Sequence, residues 1–332
     1  MLLLRVMLLA SAVYWPVLAA GCDICGCPSG GNTFGLLPLV QRPFIGIRWH
    51  EQVYRTTAHG GIQSSRQFFH TVEFWGRWMP HPRWQVVGLL PFQYHLRRFD
   101  DGYRQRPHGL GDASLLVQFA LLDPRRQALR PWQHAFQLGL GLKTPTGATQ
   151  VRDPLWREEP LPIALQPGSG SADALFSGLY AIQRDRWGAS ADGTFRLTGT
   201  NREGYRLGPR WNGAVRVFRI IGSRATRWIP YLGTQLDHRA ADMAAGKHQP
   251  ETGGWAALGF AGVEVFTPHL AFGLSSSLPI AHHMAEGFVA PRYRMAVSAT
   301  VLLGKPAKAK DKLPAPPFFF KNIQEHTSTI EK

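Results

Sequence analysis

The chain has 332 residues, with 37 Lys and Arg against 22 Asp and Glu, a formal charge of +15; charged residues make up only 18% of it. That share is below the roughly 25% of ordinary soluble domains, and the 35 Gly and 11 Trp argue against a disordered chain. Three Cys are too few for a disulfide-stapled scaffold, while the basic excess leaves nucleic-acid binding open until the address of the chain is read.

The N-terminus supplies that address. Arg5 precedes an apolar run over 6–13, followed by Pro16 and the small residues Ala19, Ala20 and Gly21. A short basic region, a compact apolar region and a small-residue cleavage site read as a secretory signal peptide over 1–21. A membrane anchor is the weaker reading, because the run is broken by Pro16 and falls short of the ~20 residues a spanning helix needs. Export removes nucleic acid from the expected partners. No later segment offers ~18 apolar residues in succession. Two classes remain: a soluble exported protein, or a barrel in the outer membrane of a Gram-negative bacterium.

Segment 22–42 follows and reads as plug-like. It holds every cysteine, Cys22, Cys25 and Cys27, within six residues. Thiolates at this spacing suit a soft ion, and three without a fourth ligand fit a trigonal Cu(I) site better than a closed zinc site. Two other readings stay open: lipidation of Cys22 behind Ala19-Ala20-Gly21 with two leftover thiols, or a local disulfide in an oxidising compartment. His282, His283 and Met284 are soft-ligand types too, but they fall on an expected external loop and read as solvated.

The body, 43–304, alternates with period two. Phe136, Leu138, Leu140 and Leu142 interleave with Gln137, Gly139, Gly141 and Lys143; Tyr293, Met295, Val297 and Val301 interleave with Arg294, Ala296 and Ser298. About twelve such segments, within a range of 10–14, centre near residues 49, 73, 90, 115, 138, 180, 193, 212, 232, 260, 273 and 298, many with the ~10-residue length of a tilted membrane strand. Short or moderate connections (79–82, 122–132, 184–186, 220–227 and 267–269) alternate with longer polar ones (56–65, 97–108, 144–173, 199–204, 238–253 and 279–292). That rhythm is the one of an outer-membrane barrel with periplasmic turns and external loops. A soluble β-sandwich or propeller has shorter strands and lacks the rhythm. The fold class expected is therefore all-β, an antiparallel transmembrane β-barrel. Trp49, Trp78, Trp84, Tyr94, Trp187, Tyr205, Trp228, Trp255 and Tyr293 lie near segment ends, as interfacial girdles require.

If the apolar parity meets lipid, the other lines the lumen. It carries Arg48, Glu73, Arg77, Asp112, Lys143, Asp192, Arg196, Arg206, Arg210, Arg216, Glu264 and Arg294. These are the expected lumen or substrate-path residues, giving a bore biased toward anions or polar solutes. The alternative is an interior filled by Arg–carboxylate networks. Only 8 of the basic residues are Lys and six of those lie beyond Gly304, so the barrel is Arg-based. Arg stays charged when poorly hydrated and pairs in a fork with carboxylate or phosphate, which suits a lumen network and also loops meeting lipopolysaccharide. Outer-membrane lipid, lipopolysaccharide, the barrel assembly machinery and a small-molecule substrate are the expected partners. The tail, 305–332, combines Lys, Pro and three successive Phe and reads as a disordered periplasmic extension. No nucleophile elbow, zinc-protease or phosphate-loop motif is present, so no enzyme is expected.

Three further motifs stand out: Gly109-Leu110-Gly111-Asp112-Ala113-Ser114, Gly139-Leu140-Gly141-Leu142-Lys143-Thr144-Pro145-Thr146-Gly147, and Gln166-Pro167-Gly168-Ser169-Gly170-Ser171-Ala172-Asp173. They resemble the Gly-Leu-Gly-Asp, Leu-Pro-Thr-Gly and Gly-Ser/Thr-Gly motifs of the MetA-pathway phenol-degradation type of outer-membrane protein, distantly akin to hydrophobic-substrate channels such as fatty-acid transporters. Cys22 to Cys27 with Gly30-Gly31-Asn32 and Gly35-Leu36-Leu37-Pro38 resemble the opening of a "transporter" subgroup of that family. The resemblance spans about residues 22–304 and implies a barrel for small-molecule passage, with loop 144–173 and segment 22–42 as gates.

The copper reading predicts that the mature protein binds about one Cu(I) and that Cys25→Ser with Cys27→Ser abolishes this, checked by competitive titration; equal binding by both proteins rejects it.

Overall fold

The computed structural model describes residues 40, 42–57, 64–124, 131–152, 160–223 and 225–304. The signal segment, Cys22, Cys25, Cys27 and the 305–332 tail lie outside the described residues. Twelve long antiparallel strands form the wall: β1 (Phe44–Thr56), β2 (Ser65–His81), β3 (Trp84–Phe99), β4 (Ser114–Leu122), β5 (Gln133–Lys143), β6 (Asp173–Arg184), β7 (Trp187–Thr198), β8 (Arg210–Arg219), β9 (Arg227–Arg239), β10 (Gly254–Phe266), β11 (Leu270–Met284) and β12 (Val289–Leu302). Each pairs with the next, and β12 returns to β1 from Phe44↔Leu302 to Thr56↔Val289. The sheet is closed, which satisfies the backbone without an exposed edge.

Alternation explains the two faces. Large apolar side chains on the outside are open to the surroundings: Leu232 is 68% exposed, Ile280 66% and Leu140 63%. Around a water-soluble molecule, an apolar surface of this extent would drive association; against lipid it is required. The opposite parity carries buried polar groups, Arg48, Glu73, Arg77, Gln93 and Arg216 among them. Trp78, Trp84, Trp132, Trp187 and Trp228 point outward near the short turns, and Tyr94, Trp211 and Trp255 do so near the other rim. Arg184 and Arg219 lie 5.3 and 5.2 Å over the rings of Trp132 and Trp187, an interfacial pairing of cation and aromatic face.

Several expectations are corrected. The loop expected over 279–292 shrinks to 285–288. β11 runs on to Met284 and β12 begins at Val289, because Ala256, Trp255 and Gly254 of β10 supply partners for His282, His283 and Met284. His282 and His283 are exposed on the strand end and Met284 is buried inside. Tyr205 belongs to no girdle, and Arg206 is not on the barrel wall. Both lie in a short strand, Tyr205–Arg206, that pairs with Met243–Ala244 in a three-stranded patch beyond the ends of β7 and β9. Asp112 sits in the connection before β4 rather than on a strand.

Placing Arg at position 232, on the lipid face of β9, is expected to destabilise the folded barrel by about 2–4 kcal/mol. Leu232→Ala, which keeps the face apolar, should cost far less. Urea unfolding in lipid vesicles measures both.

Candidate functional site: a loop latched inside the barrel

β3 contains Pro91, which has no N–H to donate. Its ladder toward β4 breaks there: Leu89 pairs with Ser114, and pairing resumes only at Phe92↔Leu110. Gly111 N–H donates to Pro91 O (2.8 Å) across the break. Residues 111–113 are thereby freed from regular pairing, and Asp112 is buried.

Asp112 is the hub of a knot that joins the three motifs. Its carboxylate accepts from Lys143 Nζ (2.6 Å), Ser169 N (2.9 Å), Ser169 Oγ (2.7 Å) and Gly147 N (2.9 Å). Lys143, the last residue of β5, stands opposite Asp173, the first of β6, and their charges meet at 3.0 Å. Lys143 also donates to Ser169 Oγ and to Ser171 O (3.0 Å). Ser171 Oγ (2.8 Å) and Gly199 N (3.1 Å) donate to Asp173. Lys143 and Asp173 are almost wholly buried, at 2% and 1% exposure. Two glycines permit this closeness: a Cβ on Gly168 would lie 2.5 Å from the carbonyl carbon of Gly147, and one on Gly147 would lie 2.8 Å from Asp112 Oδ1. No larger residue fits either position without moving backbone.

The knot fixes the base of the 144–172 connection, whose far part crosses the barrel. Leu161 and Leu165 are buried with Tyr54 of β1, Phe69 of β2, Leu258 of β10, Met284 of β11 and Val289 of β12. Those are inward residues of the wall opposite β5 and β6. Gln166 stiffens the crossing segment by donating to Val151 O (2.9 Å) and Leu161 O (2.8 Å) while accepting from Val151 N (2.9 Å). A cavity of about 440 Å³ lies between this loop and Asn201, Arg202 and Glu203, where Gln150 bonds Glu203.

Below the loop the interior is charged. Arg48 pairs with Glu73 and lies 4.5 Å over Trp75. Arg216 pairs with Asp192. Arg294 pairs with Asp237 and donates to Tyr54 Oη (3.1 Å). Arg196, Arg210 and Glu264 share this inward parity. Nearer the short turns the lining becomes apolar, with Phe44, Trp75, Phe218, Ile229 and Phe260 around the buried Val40. Arg77 ties that incoming chain in place, donating to Arg42 O (3.0 Å), Val40 O and Gln85 Oε1 (3.2 Å).

The expected lumen residues thus separate. Arg48 with Glu73, Arg216 with Asp192, and Lys143 with Asp112 are brought together; Arg77 holds backbone at one mouth; Arg206 lies outside the wall. Sequence reasoning did not single out Asp237, the partner of Arg294, or Ser169. Asp173 stands out in the sequence only as part of the 166–173 motif. The position of Asp173 at the start of a strand, opposite Lys143 at the end of another, was the signal available. Among the described residues no group of three or more His, Cys, Asp or Glu converges as a metal site.

No protein-family model and no curated protein sequence matches the chain. Solved structures do. An outer-membrane channel from Pseudomonas putida F1 aligns over 80% of this chain and 96% of that one, with a TM-score of 0.60 and 13% identity. The fold is that of an outer-membrane β-barrel. The β-domain of the Bordetella autotransporter BrkA aligns with a TM-score of 0.47 at 12% identity, over 79% of this chain and 100% of that one. The CymD monoaromatic hydrocarbon channel does so with 0.37 at 8%, over 86% and 98%.

Burial alone pushes the Asp112 carboxyl up, but the Lys143 charge and the hydrogen bonds from Lys143 and Ser169 outweigh it and hold it below its ordinary value. A carboxylate depressed in the fold contributes stability above its unfolded pKa and loses it as pH falls through the folded one. The Asp112 contribution to the latch is therefore fully present above the ordinary Asp range and is lost only as pH falls through the depressed value. Lys143→Met strands two carboxylates. It is expected to cost about 3–5 kcal/mol and to make added protease cut at the described residues 161–171 faster than in the wild type at pH 7.

Proposed function

We propose that the chain is an outer-membrane channel or transporter that passes or binds small molecules, with loop 144–172 as the element that moves to admit them. The observation that carries this reading is the asymmetry of the loop. Its base is pinned by a buried ionic knot, whereas its far part rests on the opposite wall through the apolar contacts of Leu161 and Leu165. Apolar contacts are non-directional and can slide or re-form; a buried ion pair resists being broken. Such a loop swings about a fixed root.

The solute class follows from the lining. Among the described residues the buried basic groups Arg48, Arg77, Arg97, Lys143, Arg196, Arg216, Arg227 and Arg239 outnumber the buried carboxylates Glu73, Asp112, Asp123, Asp173, Asp242 and Glu264, and the mouth near the short turns is aromatic. Small anions, or aromatic solutes bearing a polar group, fit this sequence of environments. The motif resemblance at residues 22–38 to a "transporter" subgroup supports the same reading. Residence in the outer membrane of a Gram-negative cell, delivery by the barrel assembly machinery and contact with lipopolysaccharide go with it. No residue is assigned a catalytic role.

A non-conducting scaffold is the second reading. It is favoured by the burial of Arg48, Glu73, Lys143 and Arg216 at 2–3% exposure, since charges lining an open bore would be wet. Planar-bilayer recording separates the two. The channel reading predicts small, intermittent conductance for the wild type and larger, steady conductance when residues 149–166 are replaced by a short Gly-Ser linker, with anions carrying more current than cations. Silence from both proteins, together with no solute flux in vesicles, rejects it.

A further inference from the structure

The outer face carries a charge arrangement that neither the fold nor passage through the lumen explains. Arg55 of β1 stands directly opposite Arg66 of β2, Arg66 opposite Arg98 of β3, and Arg98 opposite Arg104 of the short strand Arg104–Gln105. The four share one rung across four adjacent strands. They have the outward parity, and all four are exposed. Like charges directly opposite one another destabilise a sheet.

Among the described residues none of the four forms a salt bridge. The carboxylate on the same face below, Glu51, accepts from Tyr293 Oη (2.6 Å) and faces His70 at 3.5 Å. Asp100 and Asp101 lie past the end of β3, in its turn. Arg66 and Arg98 instead lie over the same ring, Phe68, at 5.0 and 5.3 Å. One aromatic ring thus orients two guanidinium groups.

The height of the rung is informative. Glu51, His70 and Tyr94 are register partners on the same face, four residues below Arg55, Arg66 and Arg98. At about 3.3 Å per residue, and allowing for strand tilt, the arginines stand roughly 10 Å above that belt. Apolar Ile47, Phe74 and Leu90 continue the face downward. A row of guanidinium groups just above an aromatic belt is at headgroup depth, in the leaflet on the side of the long loops.

We propose that Arg55, Arg66, Arg98 and Arg104 form a binding site for the phosphate groups of a phosphorylated glycolipid of the outer leaflet, the lipid A part of lipopolysaccharide. Guanidinium forks match phosphate oxygens two at a time, and a ligand with two phosphates spans adjacent members of the row. The site rests on the outer-membrane reading above and is separate from the lumen.

The test uses the full-length mature protein purified in detergent. Native mass spectrometry measures binding of bisphosphorylated lipid A, of the same lipid after removal of both phosphates, and of phosphatidylglycerol. Competition by inorganic phosphate is measured in parallel. The wild type is expected to bind bisphosphorylated lipid A at least tenfold more tightly than the other two lipids, with millimolar inorganic phosphate failing to displace it. Changing all four arginines to Gln should remove that preference. The fourfold Arg→Lys variant, which keeps charge but loses the fork, should bind with intermediate strength, and it carries the test if the Gln variant does not fold by heat-modifiable gel mobility. Arg184→Gln with Arg186→Gln and Arg219→Gln, at the opposite rim, should bind as the wild type does. Equal binding of the dephosphorylated lipid, undiminished binding by both fourfold variants, or displacement by inorganic phosphate overturns the proposal. Density-gradient fractionation of cells tests the outer-membrane reading by itself: a chain found there that lacks phosphate-dependent binding fails this inference alone.

Discussion

The organisation of the lumen depends on one buried ammonium group. Lys143 Nζ lies between the carboxylates of Asp112 and Asp173, at 2.6 and 3.0 Å. Two buried carboxylates repel unless a cation lies between them, and a buried ammonium needs hydrogen-bonding anions to offset its lost hydration. Each therefore requires the others. Because the three come from the break beside Pro91, the end of β5 and the start of β6, their mutual need fixes where the strands stop and where the crossing loop starts. The backbone amides of Gly147 and Ser169 complete the shell of Asp112, so the loop itself helps to balance the charge that anchors it.

The rest of the interior is graded around that anchor. An apolar seat for Leu161 and Leu165 lies toward one end, ion pairs occupy the middle, and an aromatic collar with Arg77 closes on the incoming chain at the other. A polar interior is usual in barrels, because one face of each strand is committed to lipid and the polar residues have only the other. Here they pair with one another, and Arg294 of β12 reaches Asp237 of the non-adjacent β9. Arg48 stands directly opposite Glu73 across β1 and β2, whereas Arg216 reaches Asp192 diagonally, two residues from its register partner Ser190, across β7 and β8.

The wall was largely legible in the sequence. Period-two alternation places every strand, since a one-residue slip would turn Leu138 and Leu140 inward and Gln137 and Lys143 into lipid. Long-range meetings were less legible. Lys143, Asp112 and the Gly-Ser-Gly stretch were visible as separate motifs, but nothing in their spacing shows that 112, 143 and 169 converge. Loop conformation depends on such contacts rather than on local pattern. The 279–292 stretch misled for a related reason. Pro279, His282 and His283 suggest a solvated turn, yet β10 offers them a paired edge, and tertiary pairing overrides propensity. Tyr205 and Arg206 misled because a two-residue strand has too few positions for a period to register. The row of arginines on β1 to β3 escaped a parity argument that treated outward charge as an exception, when charge at headgroup depth carries no such penalty.

Closure of β12 on β1 has a consequence for biosynthesis. Phe44 pairs with Leu302, and each intermediate rung joins the first part of the barrel to the last. The wall cannot be completed while residue 302 is still being made, because the final seam joins chain ends with the largest sequence separation in the sheet. Loop-closure entropy for that seam must be met before any of its hydrogen bonds form. Until then two unpaired strand edges and a lipid-facing apolar surface are open to the aqueous compartment, which are the features that template aggregation. The unclosed wall is thus the state most open to aggregation, and formation of the β12–β1 seam ends it.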